Sequence, residues 1–359
     1  MKSKINSIKN LKISILLPYK ENFSSEYAGA VSLLLKDTIS ISKFKNNIKI
    51  FGSTKFKQDI LKDKYINLKI DNFFFQSKSK IYLKKFIDHE QKFNSDIIEI
   101  HNRPNYLDYI FNFNKNLVLF FHNDPLLMKG SKSLTDRLNV LKKTKKVVFI
   151  SKWVMKRFLT GFKKKDLPKN HFEIIYHSTN KKKINFNKKN KIILFVGRLN
   201  ESKGYDIFTK AIVNILNFYP EWKAVVIGDE PREKIFVKHK NLIQLGFKKN
   251  KTVTNWFIKS DICVVCSKWD EPFGRTALEA SSAGCAVIIS NKGGLPEASP
   301  KAIKLKYLNP KNLENRLKKL INDKKYKISI QKKIYNHFFL TNKHSSNTID
   351  KLRNSIIKI

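Results

Sequence analysis

The sequence predicts an α/β protein of two doubly wound domains, on three observations. Short apolar runs alternate with helix-length amphipathic stretches from one end of the chain to the other, the pattern of parallel sheets covered by helices on both faces. A length of 359 residues suffices for two cores of ordinary size. The alternation lapses over residues 177–191, HSTNKKKINFNKKNK, which carry six lysines within 181–191; a polar, exposed interdomain linker is expected there.

In chain order, the first half reads as strands over 12–17, 48–52, 66–70, 96–101, 117–122, 146–150 and 173–176, with helices over 25–41, 78–93, 133–143 and 152–158. The second half restarts with strands KIILFVG, KAVVIG, NLIQLG, ICVVCS, CAVIIS and AIKLKY, and helices over 205–218, 250–259 and 276–283. Amphipathic helices follow over 313–321 and in the lysine-rich segment to 339. The last stretch, 345–358, places Ile349, Leu352 and Ile356 at helical spacing. No repeat is evident at periods of about 20 to 50 residues.

Composition sets bounds on function. Hydrophobic residues make up 42% of the chain and aromatic ones 12%, too many for a solvated polyelectrolyte. A formal charge of +43, from 72 Lys plus Arg against 29 Asp plus Glu, favours anionic partners. Three origins of this field stay open: a compositional bias of the proteome, a face held against an anionic inner leaflet, where each cation contributes about 1 kcal/mol, and nucleic acid. Zinc-finger spacing and RRM-type aromatic motifs are missing, so no specific nucleic acid is expected. Three cysteines argue for a reducing compartment, and Cys263 and Cys266 sit three apart in a strand, facing opposite sides, as core residues. The apolar run before Pro18 is too short for a signal peptide, and no run approaches the ~20 residues that span a bilayer. A cytoplasmic protein is expected, with a peripheral seat on the inner face of the plasma membrane as the functional reading of its charge.

The chemistry concentrates in DEPFGRTALEASSAGCAVIISNKGGLPE, residues 270–297. Pro272 and Gly274 punctuate a turn, and a helix is expected from about Arg275. Glu271 then lies just ahead of the helix N-terminus and Glu279 about one turn inside it. Free N–H groups between them form an anion seat, and the two acceptor-only carboxylates suit hydroxyls. A ligand with both features, such as a nucleotide sugar, fits. Upstream, GRLNESKG at 197–204 follows a strand directly and puts Arg198 and Lys203 on a strand-to-helix loop.

Together EPFGRTALEA, CAVIIS, GGLPE and GRLNESKG resemble the retaining glycosyltransferases of family 4, whose signature is E-x7-E and whose GT-B fold sets two Rossmann-like domains across a cleft. The resemblance implies an acceptor-side domain over 1–182, a nucleotide-sugar domain over 183–335, and a helical segment over 336–359 returning to the first. It assigns Arg198 and Lys203 to the donor diphosphate, Glu279 to ribose hydroxyls, Glu271 to the transferred sugar, and the backbone of Phe273, Gly274, Arg275 and Thr276 to sugar and phosphate. By position, Gly246, Phe247 and Lys248 would lie against the nucleobase. Cys266 stands where the family has proline, and a local change of backbone is expected.

In the first half, His101 in EIHNRP and His122 in LFFHNDP each end an apolar run, where open α/β sheets bind ligands. The resemblance gives His122 a hydrogen bond to the donor sugar, and His101 is read as lining the cleft. Ala28 and Gly29 replace the family's paired glycines near the donor phosphates, leaving Gly29 for close approach. The implied catalytic residues are therefore His122 and Glu271. With no D-x-D in the chain, no metal or other cofactor is expected, and side-chain cations and amides would stabilise the diphosphate.

The expected reaction is sugar transfer with retention, from a nucleotide-diphosphate donor as co-substrate to a glycan or lipid-linked acceptor, in cell-surface polysaccharide or lipopolysaccharide synthesis. Two alternatives stay beside it: a GT-B nucleotide-sugar 2-epimerase, and a non-enzymatic basic protein binding membrane or nucleic acid.

Overall fold

The computed structural model describes residues 11–70, 77–113, 116–233 and 235–357. Residues 1–10 lie outside them, as does the final residue of the helix expected over 345–358. The chain divides into two units, Met1–Ser178 with Asn342–Ile359, and Thr179–Thr341.

Unit 1 is built on a parallel sheet of β1 (Ile13–Leu16), β2 (Ile48–Gly52), β3 (Tyr65–Asn67), β4 (Ile97–His101), β5 (Leu117–Phe121), β6 (Lys146–Phe149) and β7 (Phe172–Ile174), in the order β3-β2-β1-β4-β5-β6-β7. Ile13 is in register with both Ile48 and Ile97, so the sheet grows outward in both directions from β1. The inner strands β2, β1, β4, β5 and β6 are buried along nearly their whole length, as parallel strands covered on both faces must be. Around them pack α1 (Ala30–Ile39), α2 (Lys78–Phe93), α3 (Leu134–Lys143) and α4 (Lys152–Phe158). A Ser133/Asp136 capping box starts α3. Helix α1 begins at Ala30, five residues later than the pattern predicts. Gly29 is extended, and Glu21 instead accepts hydrogen bonds from Ser32 N and Oγ at 3.4 and 2.9 Å, capping α1 from a distant loop.

Unit 2 has the order β10-β9-β8-β11-β12-β13, all parallel. The strands are β8 (Asn190–Val196), β9 (Lys223–Ile227), β10 (Leu242–Gln244), β11 (Ser260–Val265), β12 (Ala286–Ile289) and β13 (Ile303–Lys304). Its helices are α5 (Tyr205–Phe218), α6 (Asn250–Lys259), α7 (Arg275–Ser282), α8 (Pro310–Asn322) and α9 (Lys324–Asn336). Ile207, Phe208, Ile212 and Ile215 of α5 share a core with Leu313, Leu317 and Leu320 of α8 and with the β8, β9 and β11 side chains beneath.

The last helix, α10 (Asn342–Ile357), belongs to unit 1. Ile349, Leu352 and Ile356 enter the same core as Ile13, Ile15 and Ile97. Arg353 reaches Glu99 of β4 through two bonds of 2.7 and 2.9 Å, and Asp350 accepts from Ser42 Oγ at 2.7 Å. The expected solvated linker is a correction at its start: His177, Ser178 and Thr179 are buried, and only from Asn180 does the chain reach the surface. Hydrogen bonding explains it, since Thr179 N donates to Leu340 O and Tyr176 O accepts from Ser345 Oγ.

Candidate functional site

In an open parallel sheet, ligands settle beyond the carboxyl ends of the strands where the strand order reverses. In unit 2 that point lies between β8 and β11, and a cavity of about 180 Å³ opens there. Phe195 and Val196 at the end of β8 with Gly197 after it, Val264, Val265 and Ser267 around the end of β11, and Gly274, Arg275 and Thr276 at the start of α7 line it, with Lys203 and Glu271 between them.

The local backbone explains how these residues meet. Gly274 caps α7 with φ +103, a conformation L side chains avoid, and a Cβ there would stand 2.4 Å from Leu295. The same turn is braced by the GGLPE segment, where Gly294 N donates to Glu271 O at 2.6 Å and Gly293 N to Asp270 Oδ1 at 3.1 Å. Any Cβ at Gly293 would strike the Glu271 backbone. The sequence shows that pair of glycines; only packing shows that they hold Glu271 in place.

Two ion pairs occupy the site. Lys203 Nζ donates to Glu271 Oε1 at 2.5 Å, and Ser267 Oγ donates to the same oxygen at 2.7 Å. Arg275 Nε donates to Glu279 Oε1 at 2.8 Å across one helical turn. The side chains are 22% and 13% exposed in the first pair and 17% and 15% in the second, so water and a ligand can reach them. No acidic residue caps the first turn of α7, which leaves its N–H groups open to an anion. Ser267 escaped the sequence reading; its place right after a strand was the available signal.

Other expected residues fall nearby or outside. Thr276 Oγ1 donates to Val196 O at 3.4 Å, tying α7 to the end of β8, and Phe273 is buried. Arg198 is exposed, does not line the cavity, and has no ion-pair or hydrogen-bond partner among the described residues. Gly246, Phe247 and Lys248 follow β10 on the same carboxyl side and are exposed, with Gly246 O accepting from Gly228 N at 3.0 Å. Cys266 packs its thiol on the GRLNESKG loop, 3.2 Å from Gly204 O, and a Cβ on Gly204 would meet Cys266 O at 2.0 Å.

Unit 1 reverses its strand order between β1 and β4. His101 ends β4 and His122 follows β5. His101 Nδ1 lies 2.9 Å from His122 Nε2, and His122 Nδ1 lies 3.2 Å from His177 Nε2. Burial pushes the His101 imidazole down to about 3, with the Arg353 guanidinium and His177 adding to the effect. His122 is depressed too, by burial and then by His101. Both ring nitrogens of His122 are thus engaged by other histidines. His177 was read only as the first residue of a linker, and nothing local marks it otherwise.

Gly29 also has an occupant. A Cβ there would stand 2.5 Å from Glu21 Oε1, so a carboxylate fills the space beside the missing side chain. Burial raises the Glu21 carboxyl above its ordinary range, against the lowering by its Ser32 bonds. Beyond β1, β2 and β3 a second cavity of about 900 Å³ is lined by Lys20, Lys55, Lys69 and Lys78, with Tyr19 and Phe56 among them and no acidic residue. None of the four ammonium groups forms an ion pair with a described residue. Among the described residues no group of three or more His, Cys, Asp and Glu is placed to hold a metal ion, and no helix is long and apolar enough to cross a membrane.

Comparison with known proteins follows this division. Residues 177–337 match the model of the family described as glycosyl transferases group 1. The chain is 35% identical to the spore coat protein SA of Bacillus subtilis over 120 residues, 30% of this chain and 32% of that one. To an uncharacterized glycosyltransferase of Methanocaldococcus jannaschii it is 29% identical over 189 residues, 46% and 47% of the two chains. To the lipopolysaccharide 1,2-N-acetylglucosaminetransferase of Salmonella typhimurium it is 28% identical over 120 residues, 30% and 32%. The chain spans between 32% and 56% of the first three curated relatives. Among solved structures, sucrose-phosphate synthase from Thermosynechococcus elongatus superposes with a TM-score of 0.73 at 14% identity, covering 97% of this chain and 99% of that one. HepE of Anabaena, solved with UDP and glucose, superposes with a TM-score of 0.70 at 17% identity, over 96% and 100%. The chain therefore has the GT-B fold of two Rossmann-like units, and its residues 177–337 carry the signature of the glycosyl transferases group 1.

Proposed function

We propose that the chain is a retaining glycosyltransferase of family 4 that moves a sugar from a nucleotide-diphosphate donor to a glycan or lipid-linked acceptor without a metal ion. The observation that carries this reading is the set of two cation–carboxylate pairs at the β8/β11 reversal, Lys203 with Glu271 and Arg275 with Glu279. A diphosphate entering there competes for both cations and for the N–H groups of α7, and releases two carboxylates that accept from sugar and ribose hydroxyls. The HepE complex with UDP and glucose, on the same fold, supports a nucleotide sugar as the ligand.

In the reaction the bond from the anomeric carbon to the diphosphate oxygen breaks, and a new carbon–oxygen bond forms on the same face. The acceptor hydroxyl passes its proton to the departing phosphate oxygen, giving a nucleoside diphosphate and a glycoside. Lys203, Arg275 and the exposed Arg198 neutralise the leaving group, Glu271 holds the transferred sugar, and Glu279 the ribose. His122 would donate or accept one hydrogen bond to the sugar, at the cost of one of its present histidine partners.

The acceptor side belongs to unit 1. Its lysine-lined cavity, free of acids, suits an acceptor bearing phosphate or carboxylate, with Tyr19 and Phe56 as faces for sugar rings. The similarity to a lipopolysaccharide transferase supports a role in cell-surface polysaccharide or lipopolysaccharide synthesis. The net charge of +43 supports a peripheral seat on the cytoplasmic leaflet.

Thermal stabilisation by a panel of nucleotide sugars and nucleoside diphosphates, with and without EDTA, tests the reading. Saturable stabilisation by one nucleotide family, unaffected by EDTA and lost in Glu279→Ala, is expected. Folded protein that none of them stabilises would overturn it.

A further inference from the structure

Three imidazoles from separate parts of unit 1 form one hydrogen-bonded chain. His101 ends β4, His122 follows β5, and His177 closes the segment after β7; they are 1%, 5% and 3% exposed. The His101 and His122 rings stack at 5.1 Å, His101 also stacks on Phe120 at 4.5 Å, and His177 meets His122 edge-on at 5.4 Å. The backbone is pinned as well: Asn102, held at φ +58, accepts from His122 N at 3.2 Å and donates its own N–H to Phe120 O at 2.7 Å.

A neutral imidazole has one N–H and one lone pair. Each choice at His122 therefore dictates its neighbours. If Nδ1–H of His122 donates to His177 Nε2, then His122 Nε2 accepts from Nδ1–H of His101. In the reverse arrangement His177 Nε2–H donates to His122 Nδ1, and His122 Nε2–H donates to His101 Nδ1. Any other combination sets two hydrogens or two lone pairs against each other. His101 Nε2 has no partner among the described residues, so nothing on that side selects between the two arrangements.

We propose that His101 and His177 are positioning residues that act through His122, coupling its tautomer to their own so that it presents one defined ring nitrogen. The coupling stands on geometry alone; its value for turnover rests on the glycosyl-transfer reading. Losing one of the two bonds is the step by which His122 becomes available to another ligand, and the 3.2 Å contact to His177 is the longer of the two.

The test uses the full chain with nitrogen-15-labelled histidine. In the wild type, His122 is expected to show a single neutral tautomer from about pH 8 to 5, since burial and then His101 disfavour its charged form. His101→Ala or His177→Ala should give a mixture of tautomers or a titration within that range. His101→Asn places an amide where Nδ1 stood and His177→Gln where Nε2 stood, and both should restore the single tautomer. With the matching donor, the alanine variants should lose about tenfold in kcat with donor KM unchanged, and the amide variants should recover most of it. Unaltered His122 shifts in both folded alanine variants would overturn the coupling. Equal loss of activity and melting temperature in alanine and amide variants would reduce the two histidines to packing. A wild type that transfers no sugar from any donor sinks the transferase reading, and the nitrogen shifts then judge the coupling alone.

Discussion

Both units set an ion pair beside the strands where the strand order reverses, and they hold it differently. In unit 1, Arg353 and Glu99 are 2% and 1% exposed and bonded twice. In unit 2, Lys203 and Glu271 are 22% and 13% exposed and bonded once. A bidentate pair shut away from water is committed to the fold, because breaking it strands a charge. A single bond open to solvent can exchange one partner for a ligand. The same contrast runs through the remaining charges: burial disfavours the charged form of the inner histidines of unit 1, whereas unit 2 holds paired charges that solvent reaches.

The largest expected effect separates these two kinds of pair. Arg353→Met should lower unfolding free energy by about 3–5 kcal/mol, because Glu99 and Asp350 lose their cation. Lys203→Met should cost no more than about 1 kcal/mol. Denaturant melts that showed equal losses would break the comparison. Next, Glu271→Gln keeps the shape and removes the charge, and turnover should fall about a hundredfold with donor affinity within a few-fold of wild type. A larger change in donor binding than in turnover would reassign Glu271 to ground-state binding.

Acid should act on unit 1 first. The folded value of His101, about 3, lies below its usual 6.5, and His171 is pushed down to about 4 by burial and Lys146. Their stabilisation is complete above pH 6.5 and is lost as the pH falls toward those folded values, because the unfolded chain takes up protons that the fold refuses. Each contributes a slope of up to about 1.4 kcal/mol per pH unit. Among described residues unit 2 buries no histidine, so its amides should keep their hydrogen-exchange protection longer. Simultaneous loss in both units would count against this.

Smaller effects sharpen the picture. Glu279→Ala should weaken donor binding about tenfold with little change in turnover of bound donor. Charge reversal at Lys55 and Lys69 should raise the acceptor KM a few-fold for a phosphorylated or carboxylated acceptor and leave a neutral one unaffected. Identical shifts for both acceptors would make that cavity a general surface.

Local pattern carried most of the architecture. Runs such as ILFV and AVVI with intervening amphipathic stretches can only be buried strands and their covering helices, and Ile349, Leu352 and Ile356 mark a helix face wherever that helix docks. The EPFG turn, with its Pro and Gly, likewise announces a helix N-terminus flanked by two carboxylates. What periodicity does not encode is the partner across space. Ser25 to Gly29 read as the start of a helix, but the helix begins at Ala30, capped from a loop by Glu21, eleven residues before Ser32. HSTN has the polarity of a linker, yet His177 lies buried against His122, 55 residues earlier in the chain. Gly293 and Gly294 stand side by side in the sequence, and only the approach of the Glu271 backbone to the first and of the Pro272 backbone to the second explains why neither can bear a Cβ. The sequence by itself determined the elements, their order and the chemical kinds of residue at the strand ends, because these depend on spacing within a few residues. Tertiary structure alone decided which cation meets which carboxylate, which histidines lie within hydrogen-bond distance and which charges stay open to solvent, because those depend on distances and burial between segments far apart in the chain.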